Sequence, residues 1–154
     1  MEYRFVEKNL FKVVGVMETV QTNERGVFIP NNNQSTTKEQ LRQSFERLLN
    51  TRVNNMLYVA VNKTERSVDS YIGIETTAIC PPSLMELEIP KQTWAVFEIG
   101  SLSPHVINKT WYDLFMDWFP AHGYELAENV EFFREMKERN RYELWIPVIK
   151  SKSY

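Results

Sequence analysis

Aromatic and acidic side chains are the residues of this sequence that could do chemistry together. Tyr58, Tyr71, Trp94 and Trp145 carry π faces, and Glu75, Glu98 and Glu143 carry negative charge. A cation over such rings gains roughly 0.5–2 kcal/mol per favourable contact. A carboxylate 4 Å from the same cation could add about 4 kcal/mol at an effective dielectric of 20, much of it cancelled by desolvation. Glu143 is flanked by Tyr142, Leu144 and Trp145, so partial burial would raise its pKa. The combination suits a site for an apolar, positively charged compound.

Other chemistries lack their residues. His105 and His122 fall on either side of one expected helix and form no metal pair. His122 belongs at the C-terminal end of that helix, where a positive charge is favoured. Cys80 beside Pro81 reads as a structural thiol, because a Cys–His nucleophile needs a partner that the sequence does not place. A single cysteine excludes a disulfide framework and a multi-cysteine zinc site. The five glycines form neither a Walker loop nor a dinucleotide fingerprint. No cofactor and no metal are therefore expected.

Periodicity gives the elements that must position the acidic and aromatic residues. A strand is expected over 10–20, with Gly15 marking a bulge or a close approach. An Asn-, Thr- and Gln-rich loop follows over 21–37. Thr36 and Glu39 then fit a capping box, ahead of a helix whose stripe is Leu41, Phe45, Leu48 and Leu49, with Arg42 off it. Strands are expected over 56–62 and 68–77, with a polar turn between them, and a proline-bounded connector runs over 81–90.

The order then repeats. A strand covers 93–99, and Ser103-Pro104 supplies an N-cap with proline at N1. The helix that follows carries Ile107, Trp111, Leu114, Phe115, Trp118 and Phe119 on one face, and Pro120 and Gly123 stop it. Residues 124–126 form a short strand, 130–139 stay ambiguous, and 142–149 form the last strand. The run 135–141 reads as a solvated face or turn.

Each half is thus strand, helix, strand, strand. The expected fold is α+β: two pseudo-twofold units forming an antiparallel sheet, with helices on one face and a ligand groove on the other. One domain spans 1–154, with half one about 1–80, a connector 81–90 and half two about 91–154. If the aliphatic face of each strand meets the helices, the opposite face carries Tyr58, Tyr71, Glu75, Trp94, Glu98, Glu143 and Trp145. The stripe aromatics Phe45, Trp111, Phe115 and Trp118 belong to the core.

Lys and Arg number 18 against 20 Asp and Glu, which argues against a nucleic-acid-binding face. No apolar run approaches the roughly 20 residues of a membrane span, and the start lacks a signal-peptide layout. A cytoplasmic protein without membrane or direct nucleic-acid contact is expected, with a protein partner or a homodimer left open.

The arrangement resembles the GyrI-like effector-binding domain, a family that includes the drug-binding domains of multidrug-responsive transcription activators. The residues that carry the resemblance are Tyr-Ile-Gly-Ile-Glu at 71–75, Ile89-Pro90 before Trp94-Ala95-Val96-Phe97 and Gly100, Trp118-Phe119-Pro120 with Gly123-Tyr124-Glu125-Leu126, and Tyr-Glu-Leu-Trp-Ile-Pro-Val at 142–148. The resemblance implies a groove for lipophilic, often cationic, compounds, with an acid inside an aromatic cage. It is nearest to stand-alone members, since nothing before Met1 or after Tyr154 reads as a helix-turn-helix domain.

Many members carry Phe-Glu-x-Tyr after the second helix, its Glu being the drug-sensing acid in some. Here a gapped register places Glu131 at that acid and Phe133 at the tyrosine; an ungapped one places Phe133 and Glu135 there. Glu143, in the better-matched segment, is the preferred acid.

The expected function is a small-molecule-binding module for lipophilic, cationic compounds, regulator-like and stand-alone. Its ligand-binding residues are Glu143, Trp94, Tyr71, Tyr58 and Trp145, with Glu131 added by the resemblance. A first alternative, from family precedent, is a hydrolase of cyclopropane-bearing natural products, with Glu143 as general base and Tyr71 as proton donor. A second is a gyrase-inhibitor-like protein-binding role, for which eleven acidic against eight basic residues from Ala78 onward give a small acidic excess.

Overall fold

The computed structural model describes residues 1–22, 26–30 and 35–152. Its strands are β1 (Tyr3–Lys8), β2 (Phe11–Gln21), β3 (Leu57–Val61), β4 (Ser67–Glu75), β5 (Met85–Ile89), β6 (Gln92–Ile99), β7 (Tyr124–Leu126), β8 (Val130–Met136) and β9 (Arg141–Lys150). Helix α1 (Ser35–Leu49) follows β2. Helix α2 (Pro104–Asp113) follows β6 and continues through a wide π turn, Leu114–Trp118, into α3 (Phe119–His122). The expected α+β class holds. Thr36 lies inside the first turn of α1 rather than ahead of it. Part of the loop expected over 21–37, including Asn31 to Asn33, lies outside the described residues.

The strands pair antiparallel in the order β1-β6-β9-β8-β3-β4-β2-β5, with β7 on β9. The unit β2-α1-β3-β4 supplies β3-β4-β2, the unit β6-α2-β8-β9 supplies β6-β9-β8, and the two meet at β3–β8. The strand ahead of each unit pairs with the other one: β1 borders β6, and β5 borders β2. β1 and β5 are strands that periodicity did not separate from their surroundings, and β8 resolves the ambiguous stretch 130–139.

This exchange curls the sheet. In a flat sheet with strands about 4.8 Å apart, β1 and β2 would stand about 29 Å apart. The chain from Lys8 to Phe11 can span only about 11 Å. The same holds from β5 to β6 across Pro90 and Lys91. The concave face therefore closes on itself. Phe11, Val13, Leu57, Val59, Tyr71, Ile89, Trp94, Val96, Phe132 and Trp145 form one buried cluster there. Trp94 meets Phe132 and Trp145 at ring separations of 5.0 and 6.2 Å, and Phe132 stacks on Trp145 at 5.2 Å.

The helices cover the convex face. Phe45 and Leu49 of α1, with Ile107, Trp111, Leu114 and Trp118 of the second helix, pack on Val14, Tyr58, Phe97, Phe133, Leu144 and Ile146. Ser103 caps α2 by accepting from the Val106 N–H. Pro120 does not stop this helix. It lacks the N–H that Met116 would need and its ring crowds that carbonyl. The Phe119 N–H instead bonds to the Leu114 carbonyl, widening the turn. Gly123, at φ 70°, ends the helix in the left-handed conformation. The wide turn puts Phe115, expected in the core, at 55% exposure.

Tyr58 is a second correction. Its alternation with Leu57 and Val59 is as read, but the phase is reversed: Tyr58 pairs with Phe133 on the helix face, and Leu57, Val59 and Val61 enter the concave core. All five residues of β3 are buried, so side-chain type carries no in-or-out signal. Arg42 is a third. It lies on the buried side of α1 at 3% exposure, whereas Leu48 is 39% exposed.

Gly15 and Gly73 face each other across β2 and β4. A Cβ on Gly15 would lie 2.0 Å from the Ile72 carbonyl oxygen, and one on Gly73 2.3 Å from that of Val14. The pair therefore permits a close backbone approach where the sheet coils. Gly73→Ala should lower stability by about 3 kcal/mol, the upper part of the usual overpacking range. An unchanged denaturant midpoint would show that the approach is not needed.

Candidate functional site

The residues proposed from sequence divide between the two faces. Glu143, Tyr71, Trp94 and Trp145 share the concave face; Tyr58 and Glu131 share the helix face. Trp94 is fully buried, and Tyr71 and Trp145 are each 8% exposed. Their rings belong to the closed second core.

Glu143 is buried and fully engaged. Its Oε2 accepts from Arg4 Nη1 at 2.8 Å; its Oε1 accepts from Trp145 Nε1 at 3.1 Å and Arg134 Nη1 at 3.3 Å. Strand register supplies these partners: Arg134 lies opposite on β8, and Arg4 reaches over from β1. The Arg4 guanidinium also sits 5.7 Å over the Trp145 ring. Burial pushes the Glu143 carboxyl up, but the hydrogen bonds from Arg4 and Trp145 and the charges of both arginines outweigh it. The group is held below the usual carboxylate range. Glu143 thus pins β1 and β8 to β9, and its charge is already matched.

Glu131 is different. It lies on β8 opposite the small Ala60, facing the helices. It is buried, and its Oε2 has no hydrogen-bond partner. Its Oε1 stands 3.8 Å from Lys63 Nζ, outside hydrogen-bond distance. Burial dominates the Lys63 charge and pushes the Glu131 carboxyl up to about 7. Five buried side-chain atoms lack a partner among the described residues: Arg42 Nε, Tyr58 Oη, Trp94 Nε1, Trp118 Nε1 and Glu131 Oε2. Glu131 alone among them is a carboxylate.

A cleft of about 230 Å³ opens beside it. Trp111 and Phe115 form one wall, stacked at 5.7 Å with 25° between their planes. Val27, Leu126, Lys63 and Glu128 are among the other residues that line it. The wide turn in the second helix is what leaves Phe115 at this opening instead of in the core. A buried acid with one unbonded oxygen, beside stacked rings, can receive a cation whose apolar groups lie on those rings.

Glu135, on the same face of β8, is consumed by structure. Its carboxylate pairs with Lys38 and, at 2.5 Å, with Arg42 Nη2. Arg42 Nη1 also donates to the Val53 carbonyl. Burial raises the Glu135 carboxyl, but bonds and charges from Lys38 and Arg42 hold it below the usual range. Lys38 donates to Tyr142 Oη at 3.2 Å. Tyr58 ends nearby; burial pushes its phenol up to about 12. The gapped register thus leads to Glu131, whose Oε2 is unbonded; the ungapped one puts the core residue Phe133 at the acid and Glu135, the anchor of α1, at the tyrosine. Arg42 was legible in retrospect, since 42, 45 and 49 share one helical face.

His122 stacks on Trp118 at 4.8 Å, with Nδ1 2.9 Å from the Trp118 carbonyl oxygen. The Cys80 thiol donates to the Pro81 and Leu84 carbonyls. Among the described residues no three His, Cys, Asp or Glu side chains gather as a metal site. No described helix is long and apolar enough to cross a membrane.

Solved structures share the fold at low identity. SAV2435, in a structure bound to tetraphenylphosphonium, superposes with a TM-score of 0.66 at 13% identity, over 97% of this chain and 94% of that one. An integron cassette protein from the mobile metagenome of Vibrio cholerae gives 0.59 at 17%, over 96% and 95%. The EcmrR C-terminal domain gives 0.55 at 13%, over 97% and 98%. No curated protein matches the sequence. The profile of the GyrI-like small molecule binding domain matches residues 1–149. The chain belongs to that family, as its sequence motifs implied.

Proposed function

We propose that this small-molecule-binding domain captures lipophilic organic cations in the cleft beside Glu131. The carrying observation is Glu131 Oε2, buried and without a partner, next to the stacked Trp111 and Phe115. The ionised carboxylate is the form that burial penalises, and a ligand cation is what would stabilise it. At about 230 Å³ the cleft falls below the roughly 300–1,000 Å³ of drug-sized sites. It suits the charged centre and one ring system, with further rings lying over Phe115. The tetraphenylphosphonium bound to SAV2435 supports a ligand of this class, and the solved complex of EcmrR with DNA supports a regulatory, effector-binding role. Glu143 gives the hydrolytic alternative little support, because the hydrogen bonds and charges of Arg4 and its neighbours hold its carboxyl below the usual carboxylate range and so make it a weak base.

Calorimetric titration with methyltriphenylphosphonium and with neutral triphenylphosphine oxide tests the reading. The cation should bind about tenfold more tightly, a difference of about 1.4 kcal/mol, and Glu131→Gln should erase the difference. Glu143→Gln should lower stability by about 1–3 kcal/mol and leave the discrimination intact. Equal affinities for the two compounds, unchanged in Glu131→Gln, would contradict the proposal.

Stability should also report on Glu131, with Lys63 and Glu128 as the charged groups lining the same cleft. A carboxyl raised from 4.5 to about 7 on folding binds more protons folded than unfolded between those values. Its ionisation therefore erodes stability as pH rises through that window, by about 3 kcal/mol in full. Glu131→Gln should raise the unfolding free energy at pH 8, and the gain should fade toward pH 4.5. A gain that does not vary with pH would assign the effect to packing.

A further inference from the structure

Lys63 lines the cleft, and its ammonium faces Glu131 Oε1 from 3.8 Å. That separation is too long for a hydrogen bond. The backbone beneath it is firmly placed. The Lys63 carbonyl accepts from Asn129 Nδ2 at 3.0 Å, tying the β3–β4 turn to the loop before β8. Thr64 N–H donates to the Ser67 carbonyl at 2.8 Å, and Thr64 Oγ1 accepts from the Arg66 and Ser67 amides. Asn62, in the left-handed region at φ 55°, holds Asp69 through its side-chain amide. The side chain itself is 31% exposed, and its four-carbon stem is flexible. Lys63 thus has a fixed root and a flexible, partly exposed stem that carries its ammonium beside the acid.

We propose that Lys63 is a tethered competitor for the cation site at Glu131, which an incoming cation must displace and which excludes cations lacking apolar surface. The proposal rests on the reading of Glu131 as the ligand's counter-charge. A simple alkylammonium offers the acid nothing that Lys63 does not already offer at high effective concentration. A lipophilic cation adds contact with Trp111 and Phe115 and so displaces the lysine. If Lys63 holds the acid about 90% of the time, apparent ligand affinity is reduced about tenfold.

The test measures binding of methyltriphenylphosphonium and n-butylammonium to the parent, Lys63→Met, Lys63→Ala and Glu131→Gln proteins. Lys91→Met, on the turn between β5 and β6, controls for net charge. Lys63→Met should bind the phosphonium about tenfold more tightly than the parent or Lys91→Met, with triphenylphosphine oxide unaffected. Lys63→Ala should acquire binding of n-butylammonium, which replaces the missing side chain and competes with the phosphonium. Phosphonium affinity that is unchanged or weakened in Lys63→Met, with the cation preference still lost in Glu131→Gln, would overturn the competitor role and leave the site intact. Absence of Glu131-dependent binding in every variant would overturn both.

Discussion

Two connections, Asn9–Leu10 and Pro90–Lys91, join strands that stand six places apart in the sheet. No flat sheet can satisfy that constraint, so the sheet curls until its two sides meet. The meeting surface is apolar: Phe11 of β2 touches Trp94 of β6 and Phe132 of β8. An ion pair, Lys8 with Glu75, joins the same two sides at the surface. The exchange of β1 and β5 between the units draws much of the concave face into a second core.

The acids follow from that division. Glu143 faces the closed side, and its strand neighbours supply two arginines and an indole to match it. Glu131 and Glu135 face the helices from one strand, yet meet different surroundings. Glu135 lies under α1, where Lys38 and Arg42 meet it. Glu131 lies opposite Ala60, beneath Trp111, and has only a distant lysine. The residue types are the same; the difference is whether the neighbouring cation comes close enough to hydrogen-bond the acid. That difference separates an anchor from a receptor for a cation.

Much of the architecture was legible. The Ser103-Pro104 start of α2, the repeated strand-helix-strand-strand order, and the faces of β4, β6 and β9 all followed from periodicity and caps. β3 misled because both of its faces are buried, which removes the contrast that periodicity reads. Phe115 misled because the helical period ahead of Pro120 is not uniform: a wide turn intervenes over Leu114–Trp118. The sequence marks Glu131 only weakly, as an acid beside Val130, Phe132 and Phe133. Its importance depends on the register Ala60↔Glu131, a long-range pairing that local pattern does not encode. The preference for Glu143 rests on its better-matched segment, Tyr-Glu-Leu-Trp-Ile-Pro at 142–147. What distinguished the two was Arg4, which reaches Glu143 from a strand that periodicity had not separated.

The most direct measurement is a carbon-13 NMR titration of the Glu131 side-chain carboxyl, with and without saturating methyltriphenylphosphonium. The account predicts a midpoint near 7 in the free protein and a fall of at least one unit when the cation is bound. A midpoint in the ordinary carboxylate range near 4.5, unmoved by the cation, would contradict it.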